Sequence, residues 1–390
     1  MNQINALAQS VYPKMVEVRR ALHQNPEPSM QEFETTRRLA AEMDRLGIPY
    51  RLTQPTGLIA QIEGAAPGPR VALRADIDAL SIGERTGLPF ASQVPGMMHA
   101  CGHDAHAAML VGAAEILMAC REAFAGSVRL IFQPAEETGQ GARLMIEQGA
   151  LEGVSMTFGL HLLACFKPGW LSAATGASAP AASRFSINIK GKTTHGARPE
   201  AGVDATVAAS ALVMNLQTIV SREMSPKQQV VVTVGQLHSG TRFNIVSGEA
   251  FLDGTVRCYD RDIHHAMPGI FERIVQGTAA AYRCEAELSY DKMVEVLIND
   301  ERGSQFVYEA AKKVVEEPSL ATMGDTHMSG SDDFSEYTMA GRGAFAALGA
   351  GGSHPHHSEF FDIDESVMTV GAAYFAQVAM DYLNAAKQEG

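Results

Sequence analysis

The sequence predicts an α/β fold, a sheet with helices on both faces, interrupted by a smaller domain. Short apolar runs typical of buried strands alternate with stretches of helical spacing over residues 1–183 and again from residue 293. Between them, residues 184–292 follow the order strand, helix, strand, strand, helix, strand, which is that of the split βαβ sandwich. The chain of 390 residues is also longer than one compact core usually supports. We therefore expect two domains, 1–183 with 293–390, and 184–292.

The predicted elements begin with two helices. Apolar residues follow helical spacing from Ala6 to Leu46, with an interruption at 25–28 and an end at Gly47. The rest of the large domain is predicted to hold strands at 58–62, 71–75, 128–132, 154–160 and 344–348, and helices at 104–120, 304–316 and 364–386. The small domain is predicted to hold strands at 184–190, 229–237, 246–257 and 284–291, and helices at 202–221 and 262–282. Residues 171–183 are small and lack periodicity, which is typical of a link between domains.

Charge and cysteine content exclude several classes of partner. The formal charge is −13, with 31 basic and 44 acidic residues, and this disfavours nucleic acid and anionic membranes. We find neither a signal peptide pattern nor an apolar run of about 18 residues, so we expect a cytoplasmic protein. Five cysteines at irregular spacing indicate reduced thiols rather than a disulfide framework.

The densest group of potential metal ligands lies between Met98 and His106. Cys101 and His103 flank a single glycine, so an extended backbone would point both side chains the same way, toward one metal. His99 and His106 are better interpreted as supporting or core residues. We expect Cys101 and His103 to belong to a metal site.

Further ligand-type residues follow predicted strands. Glu136 and Glu137 are adjacent and suit one metal ligand and one general base, although spacing does not say which is which. His161 ends the strand at 154–160, in a position parallel to that of the glutamates. In open α/β sheets, ligands bind at the C-terminal ends of strands, so these residues are expected to meet.

Two acids and a histidine cluster complete the set. Asp76 follows a buried strand and is expected to orient a metal-bound histidine or the attacking water, and Asp78 fits that role or a helix cap equally well. His354, His356 and His357 indicate a metal site, but chain position does not select among them. Serine-hydrolase, P-loop and dinucleotide motifs are missing, so the pattern predicts a two-metal hydrolase.

Several segments in collinear order carry a family resemblance: Arg19–His23 with Pro26, Glu27 and Glu32, then Arg74–Leu80, Met98–Asp104, Gln133–Glu137 and His357-Ser358. Over almost the whole chain they resemble the M20 metallopeptidase family. Within it, the chain looks most like the amidohydrolase branch of hippurate hydrolases, indole-acetyl-amino-acid hydrolases and N-acyl-amino-acid deacylases. The resemblance implies a catalytic α/β domain interrupted by a ferredoxin-like lid and dimerisation domain.

The resemblance also assigns roles that spacing left open. Two divalent metal ions, zinc, manganese, cobalt or nickel, are implied to bind to Cys101, His103, Glu137, His161 and His357. Cys101 would bridge the ions and Glu136 would be the general base. Asp76 is counted with the catalytic residues for the orienting role inferred above from its position.

In the small domain, the resemblance implies three residues that contact substrate. His195, Asn244 and Arg257 match positions that hold the substrate's carbonyl and carboxylate groups. His195 would act in the active site of a neighbouring subunit, so a homodimer is expected, or a homotetramer built from dimers.

The implied reaction is hydrolysis of the amide bond of an N-acyl amino acid, giving a carboxylic acid and a free amino acid. A dipeptidase or carboxypeptidase with the same metal chemistry is the alternative among enzymes. An inert metal-binding module is disfavoured, because the general base and all five ligand positions are filled.

Overall fold

The computed structural model describes residues 3–324, 328 and 330–389. The chain forms two compact units. The large unit comprises residues 1–178, 298–328 and 332–390, and the small unit comprises 179–297 with 329–331. The domain boundaries expected from the sequence are at 184 and 292.

The first part of the large unit contains four helices and seven strands: α1 (Gln3–His23), α2 (Phe33–Leu46), β1 (Tyr50–Leu52), β2 (Leu58–Glu63), β3 (Arg70–Asp76), α3 (His103–Ala119), β4 (Ser127–Gln133), α4 (Gly141–Glu147), β5 (Val154–Leu163), β6 (Leu171–Ala174) and β7 (Gly176–Ala179). The two predicted N-terminal helices are present, and α2 ends at Gly47 in the left-handed conformation.

The chain then passes through the small unit and returns. The small unit contains β8 (Ala181–Lys190), β9 (Thr194–His195), α5 (Ala205–Thr218), β10 (Val230–Ser239), β11 (Ile245–Val246), β12 (Glu249–Cys258), α6 (Arg261–Ala281) and β13 (Glu285–Val294). The last part of the chain contains β14 (Leu297–Asn299), α7 (Glu301–Val314), β15 (Ala321–Gly324), α8 (Phe334–Ala340), β16 (Gly343–Gly349) and α9 (Met368–Glu389).

An eight-stranded sheet forms the centre of the large unit, in the order β1-β2-β4-β3-β5-β16-β6-β15. Strands β4, β3, β5 and β16 run parallel, and their side chains are almost entirely buried because helices cover the sheet. Helices α1, α3, α7 and α9 pack together, while α4 and α8 form a separate pair against β4, β5 and β16. The predicted α/β fold is confirmed.

The segment 171–183, predicted as a link, instead forms β6, β7 and the start of β8. All four side chains of β6 are buried, so the strand lacks the alternation that would have revealed it, and its alanines and serine fit a closely packed position. The Asn299 side chain donates to the carbonyls of Ala174 and Phe345, and it accepts from the Phe345 amide. This buried amide fixes β6 beside β16.

The small unit is a four-stranded antiparallel sheet, ordered β10-β12-β8-β13, with α5 and α6 packed against it. The side chain of Asp204 caps α5 and that of Asp260 caps α6, each accepting from backbone amides of the first turn. This is the predicted βαββαβ order. Among the described residues, no helix of either unit is both long and apolar enough to cross a membrane.

Candidate active site

Cys101 and His103 lie at the start of α3, on either side of a tight turn. An extended backbone would bring the two side chains together, but Gly102 has φ 92° and ψ 11°, a left-handed conformation that glycine adopts readily. A Cβ atom at Gly102 would also lie only 3.2 Å from Cδ1 of Leu162. The turn, rather than an extended strand, brings the thiol and the imidazole to one centre.

Two groups of three potential ligands share the Cys101 thiol. Cys101, His103 and His161 form one triad, Cys101, Glu137 and His357 form the other, and the ligand atoms within each lie no more than 4.8 Å apart. Cys101 Sγ is 3.4 Å from His161 Nε2, and Glu137 Oε2 is 3.6 Å from His357 Nε2. This arrangement suits two ions with a thiolate between them.

Hydrogen bonds orient the two inner imidazoles. Nδ1 of His103 lies 3.0 Å from the Asp78 carbonyl, and Nδ1 of His161 lies 2.6 Å from the Leu162 carbonyl. A carbonyl only accepts, so each Nδ1 carries the proton and each Nε2 presents a lone pair toward Cys101.

Unpartnered buried atoms test whether a metal fits here. Within the described part of the chain, His103 Nε2 and Glu137 Oε1 are buried without a hydrogen-bond partner. Both atoms belong to residues of the triads and are 3.9 Å apart. Sulfur, imidazole nitrogen and carboxylate oxygen are together the ligands of zinc and neighbouring transition metals, so the residues fit a pair of divalent ions.

Glu136 lies beside the triads and is buried. Its Oε2 is 3.9 Å from His103 Nε2, and its Oε1 accepts a 3.4 Å hydrogen bond from the Asp333 amide. Burial raises the pKa of the Glu136 carboxyl well above its usual range, and the Asp332 and Glu137 carboxylates raise it further. A carboxylate with a raised pKa next to a metal centre is suited to accept and return a proton.

Asp76 lies behind the centre. Its Oδ1 is 2.6 Å from His106 Nδ1, and its Oδ2 accepts from Arg74 at 2.7 Å. The Leu162 amide donates to His106 Nε2, so both imidazole nitrogens of His106 have partners within the protein. His106 is therefore a supporting residue, and Asp76 Oδ2 itself lies 3.8 Å from His103 Nε2.

Asp78 does not cap a helix, so that alternative is wrong. Its Oδ1 accepts from the Glu136 amide and its Oδ2 from the Glu137 amide, each at 3.1 Å. The same carboxylate lies 3.2 Å from His103 Nδ1. One buried acid thus holds a histidine and both glutamates.

The C-terminal histidine cluster separates in the structure. The His357 side chain joins a triad and its amide donates to the Ala100 carbonyl, whereas His356 Nε2 accepts from the Ala164 amide and His354 packs against Phe360. His161 does not end its strand, because β5 continues to Leu163.

The small unit brings two of its three predicted residues together. His195 pairs with Ile245 between β9 and β11, and the Gly196 amide donates to the Asn244 carbonyl. The Ala197 amide donates to His195 Nδ1, so the exposed Nε2 carries the proton and can donate.

Arg257 lies elsewhere in the small unit, opposite Ala182 in the register of β12 and β8. From Glu249 to Arg257, β12 extends for eight residue steps, roughly 26 Å at about 3.3 Å per residue. His195 and Asn244 follow the other end of this sheet, so one small unit does not gather all three residues.

Two contacts with the segment Gln133–Glu137, which carries the two glutamates, were not predicted from the sequence. Glu32 accepts from the Ala135 amide, and Asp333 binds the side chains of Arg74 and Gln133. Glu32 belongs to one of the sequence motifs, but its partner lies 103 positions away, so no local pattern reveals the contact.

Comparisons with known proteins agree with this geometry. The family model of Peptidase family M20/M25/M40 matches residues 72–381. The N-acetyl-L-cysteine deacetylase of Bacillus subtilis is 40% identical over 366 residues, which are 93% of this chain and 86% of the relative. An N-acetylcysteine deacetylase of the same bacterium is 37% identical over 381 residues, 96% of this chain and 98% of the relative.

A solved structure gives the same result. The crystal structure of the Bacillus subtilis YXEP protein, a dinuclear metal-binding peptidase from the M20 family, is similar with a TM-score of 0.85 and 35% identity. The similarity covers 96% of this chain and 99% of that one. The chain therefore belongs to peptidase family M20/M25/M40, as its sequence motifs predict.

Proposed function

We propose that the protein hydrolyses the amide bond of N-acyl amino acids with two divalent metal ions held by the two triads. The observation that carries this proposal is the pair of triads sharing Cys101, with the buried carboxylate of Glu136 beside them. The deacetylase activities named for two close relatives support the substrate class. Zinc, manganese, cobalt and nickel all suit the ligand set.

The reaction needs a group that takes a proton from the attacking water and then gives it to the leaving amine. Two divalent ions, when bound, supply a Lewis acid for the amide carbonyl and make water acidic near neutral pH. Glu136 takes a proton from the attacking water and later gives it to the amine nitrogen as the C–N bond breaks. The water oxygen remains in the carboxylic acid. Asp76 and Asp78 keep the surrounding histidines and glutamates in place.

Substrate recognition is assigned to the small unit, acting as a lid. The proton on His195 Nε2 suits it to stabilise the negative oxygen that develops on the amide carbonyl. Arg257 and Asn244 would bind the α-carboxylate of the substrate. Because His195 and Asn244 lie apart from Arg257 in one small unit, we propose that His195 acts in the active site of a second subunit.

A homodimer follows from this proposal, with a tetramer of two dimers as the larger alternative. The edge strand β10 and helix α5 offer apolar side chains to a second copy, since Val231 is 57% and Met214 68% exposed. Sedimentation velocity of the protein and of Met214→Glu tests this directly. We further propose the cytoplasm as the place of action, where a metal-binding thiolate stays reduced.

The function is tested with a substrate panel and metal analysis. Protein loaded with each of the four metals in turn is assayed on N-acetyl, N-benzoyl and indole-acetyl conjugates of many amino acids, and on dipeptides with a free amine. Faster hydrolysis of the N-acyl compounds supports the proposal. Preference for free-amine dipeptides would indicate a dipeptidase. Cleavage of longer peptides at the carboxyl terminus would indicate a carboxypeptidase, and no turnover by metal-loaded protein would indicate an inert metal-binding module.

A further inference from the structure

The turn that carries Glu136 and Glu137 has an unusual backbone. Ala135 has φ 55°, in the left-handed region that non-glycine residues adopt at a cost of about 1 kcal/mol. The turn is also buried, since Ala135 is fully inaccessible and Glu136 is only 8% exposed. Such a conformation persists only when neighbouring groups hold it.

Two buried carboxylates hold three consecutive amides of this turn. The Ala135 amide donates to Glu32 Oε1 at 2.9 Å, and the next two amides donate to the two oxygens of Asp78 at 3.1 Å each. The contact with Glu32 lies at the left-handed residue itself.

Both carboxylate oxygens of Glu32 accept hydrogen bonds. The residue is fully buried, its Oε1 also accepts from the Met30 amide at 3.0 Å, and its Oε2 accepts from the Thr56 hydroxyl at 2.6 Å. All three donors are neutral. An uncharged acceptor of the same shape would thus satisfy the two amides equally well, whereas an apolar side chain would leave both unpartnered in the interior.

We infer that Glu32 is a positioning residue for Glu136 and Glu137, acting through the Ala135 amide. The inference rests on the proposed function for its effect on turnover, because one of these glutamates moves the proton and the other binds metal. A displacement of about 1 Å at such groups costs about 100-fold in rate. The acceptor at Glu32, rather than its charge, is what the turn requires.

Three variants of Glu32 test this. Glu32→Leu removes both acceptor atoms at similar volume, Glu32→Asp withdraws the carboxylate by one methylene, and Glu32→Gln keeps a carbonyl oxygen where Oε1 lies. We expect Glu32→Leu and Glu32→Asp to lower kcat by about 10- to 100-fold with KM nearly unchanged, and Glu32→Gln to stay within about threefold of the parent. We also expect the first two to lose metal to a chelator faster, because Glu137 is displaced.

The matched control is Thr36→Val. The Thr36 hydroxyl accepts from the Gly57 amide at 2.8 Å, so this variant removes a buried hydrogen bond near Glu32 without removing a partner of the Ala135 amide. We expect it to lower Tm while kcat and metal retention stay at parental values. If Glu32→Leu does not fold, Glu32→Asp and Glu32→Gln decide between the outcomes.

The overturning results are distinct from a failure of the proposed function. Parental kcat and metal retention in a folded Glu32→Leu or Glu32→Asp variant would overturn the inference, as would an equal loss of kcat in Thr36→Val or Glu32→Gln. If the parent protein fails to hydrolyse any N-acyl amino acid, the proposed function fails. Faster metal loss in Glu32→Leu but not in Thr36→Val would still support the positioning of Glu137.

Discussion

Asp78 and His103 lie 3.2 Å apart, and through this contact one carboxylate orders the centre of the proposed site. The same carboxylate accepts hydrogen bonds from the amides of Glu136 and Glu137, so it holds an imidazole and the backbone of both glutamates at once. Loss of a group that orients a metal ligand typically weakens metal affinity by about 10- to 100-fold.

Replacing Asp78 with Ala should weaken metal binding by about 10- to 100-fold, because His103 Nδ1 loses the neighbouring carboxylate and keeps only the Asp78 carbonyl, and two buried amides lose their acceptor. Competition with a chelating dye measures the change. Ser29→Ala is the control: it removes one donor to Asp78 Oδ2, a 2.6 Å contact, and leaves the carboxylate in place. Equal metal affinity in Asp78→Ala and Ser29→Ala would contradict the role given to Asp78.

Replacing Glu136 with Gln should abolish turnover and leave metal content intact. Glu136 lies outside both triads that share Cys101, so its replacement should not remove a metal ligand of either triad. Turnover should be lost because a carboxylate can take a proton from water and an amide cannot. We expect kcat to fall by about 100- to 10,000-fold, with two ions per chain still found by elemental analysis. Glu137→Gln provides the contrast, since it should lose metal. Substantial turnover by Glu136→Gln would sink the assignment of the base.

The site shows which contacts a sequence can reveal. Cys101 and His103 were recognisable as candidate ligands because they lie within three positions, and the turn at Gly102 brings their side chains together as an extended backbone would. The pairs Glu32 with Ala135 and Asp78 with Glu137 join residues 103 and 59 positions apart. Only the folded sheet, which places the ends of β3 and β4 side by side, creates such contacts.

The fold shows the same limit. Long amphipathic elements such as α1 and α6 were predictable from periodicity, because one face of each helix is buried and the other is exposed. Strand β6 was not, because a strand of small residues buried on both faces resembles a flexible link in sequence. The separation of Arg257 from His195 also depends on strand register, which composition does not determine.

Arg19 should contribute strongly to stability. Its guanidinium is 1% exposed and lies 3.2 Å from Asp104 and 3.0 Å from both Asp362 and Glu365. Arg19→Met removes one of the two cations that pair with the buried Asp104 carboxylate, the other being His23, and we expect this to cost about 3–5 kcal/mol in the free energy of unfolding. Urea unfolding measures this.

The control for that variant is Arg37→Ala, because Arg37 pairs with Glu34 on the exposed surface of α2. Solvent screens that pair, so we expect no measurable change in the urea midpoint. If Arg19→Met were as stable as Arg37→Ala, the buried network would not have the importance assigned to it.

Stability should fall at alkaline pH because of His23. Burial by itself lowers the pKa of His23, but the Asp104 carboxylate 2.7 Å away and Glu84 outweigh it and raise the pKa to about 9, from an ordinary value of 6.5. A pKa that is higher in the folded state means stabilisation that is complete below pH 6.5 and is lost as the pH rises through about 9. The loss should be on the order of 1–3 kcal/mol.

Urea unfolding of the protein and of His23→Gln between pH 6 and pH 10 tests this, since the variant has no proton to lose at this position. The difference in unfolding free energy between the two proteins should shrink across the window from 6.5 to about 9. A difference that stays constant over that window would show that His23 is not held in its charged form.

Cys101 should be needed for both metal ions, and His161 or His357 for one ion each. Of the described residues, Cys101 belongs to both triads, while each of these histidines belongs to a single one. A serine hydroxyl is a far poorer ligand than a thiolate for zinc, so Cys101→Ser should lose both ions together. His161→Ala and His357→Ala should each retain about one ion per chain, because the other triad keeps its three ligands.

Elemental analysis after extensive dialysis gives the stoichiometry, and Cys120→Ala is the matched control. Cys120 is also a buried thiol, but it follows the C-terminal end of α3, 17 residues of helix away from His103. Its replacement should leave both ions bound. Two ions retained by Cys101→Ser would contradict a bridging thiolate. Loss of both ions from His161→Ala and from His357→Ala would show instead that the two triads bind metal as one cooperative unit, because removing a ligand from either would then empty both.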